Sequence, residues 1–273
     1  MGDVKSGSEQ CSDERLGFVR EQFDRLKAPL VYTPGDNEWV DCHRANNGAY
    51  NPLERLDTVR GMFFPTADRL LGRAMHVDSQ DELGVPENAT FTKNRVAFSI
   101  IDVQGSNNSL APWEGLGLDE PTPAQLDEVR HRTDADIAQL HETFTKAERT
   151  NTRAVVVMTQ ADMFDPSQLE AAQADPSKVS GIAPIVQSLA EESAGFDGPV
   201  YLVNGDSHKF TEDSPLAPGS PWLDVYGISP VDNLQRVTVE RTATTHEFLR
   251  VSVAPNSSRT DDVVTWERDP FSG

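Results

Sequence analysis

Three short stretches put an acid directly after a glycine: Gly2-Asp3, Gly35-Asp36-Asn37-Glu38 and Gly205-Asp206-Ser207-His208. The second and third each follow a short apolar run, Leu30-Val31-Tyr32 and Val200-Tyr201-Leu202-Val203. A strand fixes the backbone, and a turn at its C-terminal end aims short side chains into a crevice. Carboxylates and an imidazole offered in this way suit a divalent cation. Gly-Asp is equally ordinary turn chemistry, so spacing alone leaves both readings open.

The order of these pieces resembles the calcineurin-like metallophosphoesterase family. That family carries Asp-x-His, then Gly-Asp, then Gly-Asn-His-Glu, a lone His after a strand, and finally Gly-His-x-His. Gly2-Asp3 matches the second block, Gly35-Asp36-Asn37-Glu38 resembles the third, and Gly205-Asp206-Ser207-His208 resembles the last. The resemblance runs over roughly residues 1–255. It implies an α/β sandwich of two mixed sheets flanked by helices. It also implies a metal-dependent phosphoesterase, acting on a phosphomonoester or phosphodiester through a metal-bound water. The first block has no counterpart here, because the chain begins where the second block begins. The family's N-terminal strand is therefore expected to be missing, with open sheet edges beside the gap, marginal stability and little hydrolysis of p-nitrophenyl phosphate.

Carried over residue by residue, the resemblance makes Asp3 the bridging metal ligand. Asp36 falls at the metal-binding Asn, and Asn37 falls where the family has its proton-donating His. An amide donates a hydrogen bond but delivers no proton at neutral pH. A slip of one residue would instead make Asn37 the ligand. Gln160 falls at the lone His ligand, with Asp162 as a substitute. Asp206 replaces the first His of the last block, and His208 matches the second. His43, in the loop after Asn37, is the alternative proton donor. Asn107 and Asn108 are placed to contact substrate at a neighbouring strand end. With oxygen in place of imidazole at positions 160 and 206, the set favours Mn²⁺, Mg²⁺ or Ca²⁺ over zinc or iron. The substitutions also support a second reading, a catalytically degenerate binding protein on the same scaffold. A structural calcium-binding protein is a third.

Composition narrows the partners. The 273-residue chain has a net charge of −20 and a pI near 4.6. That charge repels nucleic acid and anionic membrane; the small phosphorylated substrate that the resemblance implies would need local positive charge, which a metal cluster could supply. No apolar run reaches the length of a membrane span. With 37% apolar residues and no linker or repeat, one domain over 1–273 is expected. The two cysteines, Cys11 and Cys42, each lie just beyond a presumptive strand-end turn, and a disulfide between them would favour an extracellular or periplasmic location. The triplets at Asn88, Asn107 and Asn256 fit the N-glycosylation pattern.

The elements that must position these residues follow from periodicity. Leu16, Val19, Phe23 and Leu26 predict an amphipathic helix over 13–27. With the run at 30–32 it completes a strand–helix–strand unit over 2–36, its two strands parallel. Residues 39–51 read as a loop too polar for a core, and 52–64 as a second helix. Residues 65–90 read as mostly loop, 95–103 as a long strand, and 104–109 as a polar turn. A long helix over 122–150, a central strand over 154–158, a helix over 180–194 and a strand over 200–204 complete the α/β part. Alternation at 237–240, 247–253 and 263–267 predicts an antiparallel part at about 221–270.

Overall fold

The computed structural model describes residues 2–240, 246–257 and 262–271. Its centre is a mixed seven-stranded sheet. The strands are β3 (Asp78–Gln80), β4 (Val85–Lys93), β5 (Val96–Ile100), β6 (Ala154–Met158), β7 (Val200–Asn204), β8 (Thr211–Asp213) and β9 (Leu234–Thr238), in the order β3-β4-β5-β6-β7-β9-β8. The four strands β5, β6, β7 and β9 are mutually parallel; β4 and β8 run antiparallel to them at the two flanks, and β3 pairs antiparallel with β4. Two small pairs stand apart: β1 (Pro29–Leu30) with β2 (Leu71–Gly72), and the hairpin β10 (Glu247–Val253) with β11 (Val264–Pro270).

Alternate residues of each central strand face opposite layers. Val155, Val157, Val200, Leu202 and Leu234 pack on the helical side. There they meet Leu140 and Phe144 of α3 (Pro123–Arg149), Ile185, Val186 and Leu189 of α5 (Ala183–Gly195), and Trp222 and Tyr226 of α6 (Trp222–Tyr226). Short α4 (Leu169–Ala174) adds Ala172 to this core. On the other face Phe98, Val156, Tyr201, Val203 and Val237 meet Leu249, Val251, Val264 and Trp266 of the hairpin. Burial on both faces is why the central strands read as unbroken apolar runs. The long helix α3 starts at Thr122, whose Oγ1 accepts the Gln125 N–H while the Gln125 side chain accepts the Thr122 N–H, a reciprocal cap.

The N-terminal part differs from expectation. The run at 30–32 does not enter the main sheet, and residues 2–36 form no parallel strand–helix–strand unit: β1 pairs antiparallel with β2 alone. Pro29 brings no N–H to a ladder. Beyond it the chain runs extended and bridges two cores, Val31 packing against the hairpin side and Tyr32 against α1 (Asp13–Asp24) and α2 (Pro52–Phe63). The loop over 39–51 is not too polar to be buried: Trp39, Val40, Asp41, Cys42 and Asn47 are all inside. Two short 3₁₀ turns, Val40–His43 and Ala45–Asn47, carry it, and the Arg132 guanidinium covers the Trp39 ring at 5.3 Å. Residues 65–90 hold β2, β3 and the start of β4 rather than loop alone.

The expected second mixed sheet is reduced to the hairpin, since β9 joins β7 in parallel inside the main sheet. Within that sheet β5 is paired on both sides, so no open edge lies at its middle. Cys11 and Cys42 form the expected disulfide. Among the described residues no helix is long and apolar enough to cross a membrane.

Candidate metal centre

The parallel strands end in register, Ile100 beside Met158, Met158 beside Val203 and Val203 beside Val237. The segments leaving them therefore gather at one edge, where the crevice of a parallel sheet lies. Gly105 follows β5, Gln160 follows β6, and Asp206 follows β7. The N-terminal segment brings Asp3 and Asp36 to the same edge. Carboxylate oxygens of Asp3, Asp36 and Asp206 lie within 4.8 Å of one another, the one such group of three among the described residues. They sit in a cavity of about 830 Å³, with Gln160, Lys5, Arg15, Arg44 and His208 also on its wall.

Backbone proximity makes the cluster. The Gly2 and Gly35 backbones touch, and a Cβ on Gly35 would fall 2.3 Å from Asp3 Oδ1. Buried Glu38 fastens this contact by accepting the Asp3 N–H (2.8 Å), the Gly35 N–H (2.6 Å) and the Tyr32 hydroxyl (3.4 Å). Asp3 and Asp206 both hold positive φ, 61° and 70°. Aspartate tolerates that region better than most residues, and such strain gathers at functional sites. Asp162 steadies the Asp206 turn by accepting the Ser207 hydroxyl at 2.6 Å, and is itself held by Arg236 at 2.5 Å.

Gln160 faces the acids through its amide nitrogen, 3.3 Å from Asp3 Oδ2 and 3.3 Å from Asp36 Oδ1, while its oxygen accepts the Gly105 N–H at 3.2 Å. It braces the carboxylates instead of offering the carbonyl expected of it. A Cβ on Gly105 would fall 2.5 Å from Asp36 Oδ2 and 3.1 Å from Asp206 Oδ2, so the turn after β5 lies flush against the acids. That turn is itself unusual: Ser106, Asn107, Asn108 and Ser109 all have φ between 54° and 68°.

The cluster is electrostatically unfinished. Burial, then Asp206 and Asp3, pushes the Asp36 carboxyl well above the usual range. Burial, then Asp3, pushes Asp206 up to about 7. The nearest lysine does not neutralise them: Lys5 Nζ bonds to Ser6 O, Glu9 O and Asn47 Oδ1 at 3.0–3.3 Å. Three crowded carboxylates with no cation on them fit a divalent metal, which would hold Asp36 and Asp206 ionised.

The other residues singled out by sequence divide. Asn37 lies on the cavity wall, and so does His208, exposed and with φ 64°; neither belongs to the 4.8 Å group. His43 lies off this wall, its Nδ1 taken by the Gly115 N–H at 3.1 Å. Asn107 and Asn108 do not reach the cavity. Asn107 bonds Ser177 O, Ser180 Oγ and the Gly181 N–H. Fully buried Asn108 bonds Arg132, Thr133 and Gly181, so both hold the left-handed turn together. Asn88 is also sealed, bonded to Asp136 and Gln80, whereas Asn256 is exposed and its triplet extends beyond the described residues. Sequence reading missed Lys5, Arg15, Glu38, Asp41 and Arg44. The signal for Lys5, Glu38, Asp41 and Arg44 was only that each follows a Gly-Asp step, and Arg15, on the helix Asp13–Asp24, carried none. No protein-family model matches the chain, and neither curated proteins nor solved structures show a match to it.

Proposed function

We propose that this chain is a metal-dependent phosphoesterase of the calcineurin-like type, hydrolysing a small phosphomonoester or phosphodiester. The meeting of Asp3, Asp36 and Asp206, from distant parts of the chain, in one cavity with two arginines carries this reading. The three carboxylates would hold the cation. A bound divalent cation supplies a polarised water and neutralises charge on phosphoryl oxygens. The chain's own groups do the rest. Gln160 keeps Asp3 and Asp36 in place through its amide N–H groups. Arg15 and Arg44, on the cavity wall with partly exposed side chains and paired to Glu9 and Asp41, carry forked donors of the kind that match phosphate oxygens. An all-oxygen ligand set favours Mn²⁺, Mg²⁺ or Ca²⁺ over zinc or iron. The sheet between a helical layer and a hairpin is compatible with the sandwich this family uses. The buried Cys11–Cys42 bridge suits an oxidising compartment, extracellular or periplasmic.

The second reading, a binding protein without turnover, draws on His43 lying off the cavity wall and on Asn37 being an amide. Calorimetry of demetallated protein with Mn²⁺, Mg²⁺ and Zn²⁺, beside hydrolysis of p-nitrophenyl phosphate, separates the two. Phosphoesterase function predicts Mn²⁺ bound more tightly than Zn²⁺ and metal-dependent release of p-nitrophenol. Metal binding with no ester hydrolysed, or no metal binding at all, sinks the phosphoesterase and supports the binding protein.

A further inference from the structure

One short segment touches all three acids of the cluster. Gln160, just past β6, faces Asp3 and Asp36 through its amide nitrogen. Two residues on, Asp162 accepts the Ser207 hydroxyl at 2.6 Å, and its backbone N–H faces the Asp206 carboxylate. Buried Ala161 lies between them, its N–H on the Val103 carbonyl at 3.0 Å, and the Gln160 carbonyl accepts the Gly205 N–H at 3.0 Å. Behind this segment stands a fully buried guanidinium, that of Arg236 on β9. It occupies an apolar row on the helical face of the sheet, two residues after Leu234, level with Leu202 of β7 and 5.6 Å from the Phe164 ring. Arg236 Nη1 donates to Asp162 Oδ1 at 2.5 Å and to the Phe164 carbonyl at 3.0 Å, while Nε and Nη2 grip Asp213 of β8 at 2.8 and 2.7 Å. A buried ion pair is no more stabilising than well-packed apolar side chains of similar volume. Stability therefore does not call for a guanidinium in this row. Its rigid fork has another use, since it holds a carboxylate in one direction.

We propose that Arg236 is a positioning residue of the metal centre, aiming Asp206 at the cation through Asp162 and Ser207. This rests on the metal-dependent reading. The chain Asp213–Arg236–Asp162–Ser207 is unbroken, and it runs from half-exposed Asp213 on β8 to the turn that carries Asp206. Both oxygens of Asp162 are committed: Oδ1 accepts from Arg236 and from the Phe164 N–H at 3.1 Å, and Oδ2 accepts from Ser207. A rotation of this carboxylate therefore pulls on Ser207, and Asp206 is the residue before it, held at φ 70°. Lysine at position 236 would keep the charge. It offers a single ammonium in place of the fork, so it does not hold Asp162 and Asp213 in one fixed geometry.

Mn²⁺ titration of the demetallated full chain is the test, by calorimetry well below each variant's melting transition. Arg236→Lys and Ser207→Ala should each weaken Mn²⁺ binding about 10–100-fold, the usual cost of altering a group behind a metal ligand. The double variant should lose no more than the worse of the two single variants, because both changes act through Asp162. Electron paramagnetic resonance of the bound Mn²⁺ should show the same altered zero-field splitting in both single variants. An arginine that only supports the fold gives a different result: a lower melting temperature, with Mn²⁺ affinity and spectrum unchanged in Arg236→Lys. That result overturns the proposal, and so do losses that simply add in the double variant. Should Arg236→Lys not fold, Asp213→Asn loosens the same guanidinium from its half-exposed end, off the cavity wall. A weaker version of the same affinity loss is then expected, and unchanged affinity overturns the assignment. Wild-type protein that binds no Mn²⁺ would instead overturn the metal centre itself, and this assignment with it.

Discussion

Asp36 and Asp206 work against the fold that carries them. Each is forced toward its neutral form by burial and by the other acids, so the metal-free protein bears a local repulsion. Asp36→Asn should therefore stabilise the metal-free protein by roughly 1–2 kcal/mol, read as a higher melting temperature. The same change should weaken Mn²⁺ binding by at least about tenfold. A variant that loses stability and keeps its metal affinity would show that Asp36 is structural. Gly105→Ala is the complementary change, since its methyl would press on two of the three acids. Mn²⁺ affinity should fall roughly 10–100-fold, as when groups behind the ligands are altered, with a smaller effect on folding. At this scale the sequence disclosed the acids but not their supports. A glycine before an acid is visible in a one-dimensional reading; the orientation of the Gln160 amide and the bonds to Glu38 are decided by residues far away in the chain.

Between elements, the disulfide carries the most weight. It joins the loop behind Asp3 to the loop that carries Asp36, and both sulfurs are fully buried. Cys11→Ser with Cys42→Ser should cost about 3–4 kcal/mol for a bridge closing 31 residues of chain. It should also lower Mn²⁺ affinity about tenfold, because Asp3 is then held to Asp36 only through Glu38 and the Gly2–Gly35 contact. Unchanged affinity in the double variant would separate the bridge from the site. Arg132 is the corresponding brace on the helical side. It is fully buried and reaches Glu128, the Asp102 carbonyl and Asn108. Arg132→Met should cost about 3–5 kcal/mol by leaving buried acid unpaired, seen as a lower urea midpoint. Elements were legible where local pattern and burial agree, as at Ala154–Met158, Val200–Asn204 and the capped α3. They were not legible at 39–47, where the disulfide and the Arg132–Trp39 contact decide the burial of polar residues, nor at β3 and β8, three-residue strands that exist only because a neighbour pairs with them.

The whole molecule holds an excess of protons. Burial holds Glu38, Asp136 and Asp206 up to about 7 and Asp41 up to about 6, against roughly 4 in an unfolded chain. Between those values the folded state binds more protons than the unfolded state, so stability falls as pH rises from about 4 to about 7 and levels off above. The net charge of −20 acts in the same direction. Metal-free protein should thus melt several degrees higher at pH 5 than at pH 8, and Mn²⁺ at pH 8 should restore much of the difference by holding Asp36 and Asp206 ionised. A melting temperature that climbs with pH in the metal-free state would contradict the buried, mutually repelling arrangement.

The gathering of Asp3 with Asp206 also sets a clock. The first of these acids leaves the ribosome about 200 residues before the last, an interval of roughly 10–40 s at ordinary elongation rates. During that time the nascent chain has no complete trio to offer a cation. Assembly of the acidic trio is therefore a late event that waits on β7 and its turn, and a truncated translation product ending before residue 206 lacks it.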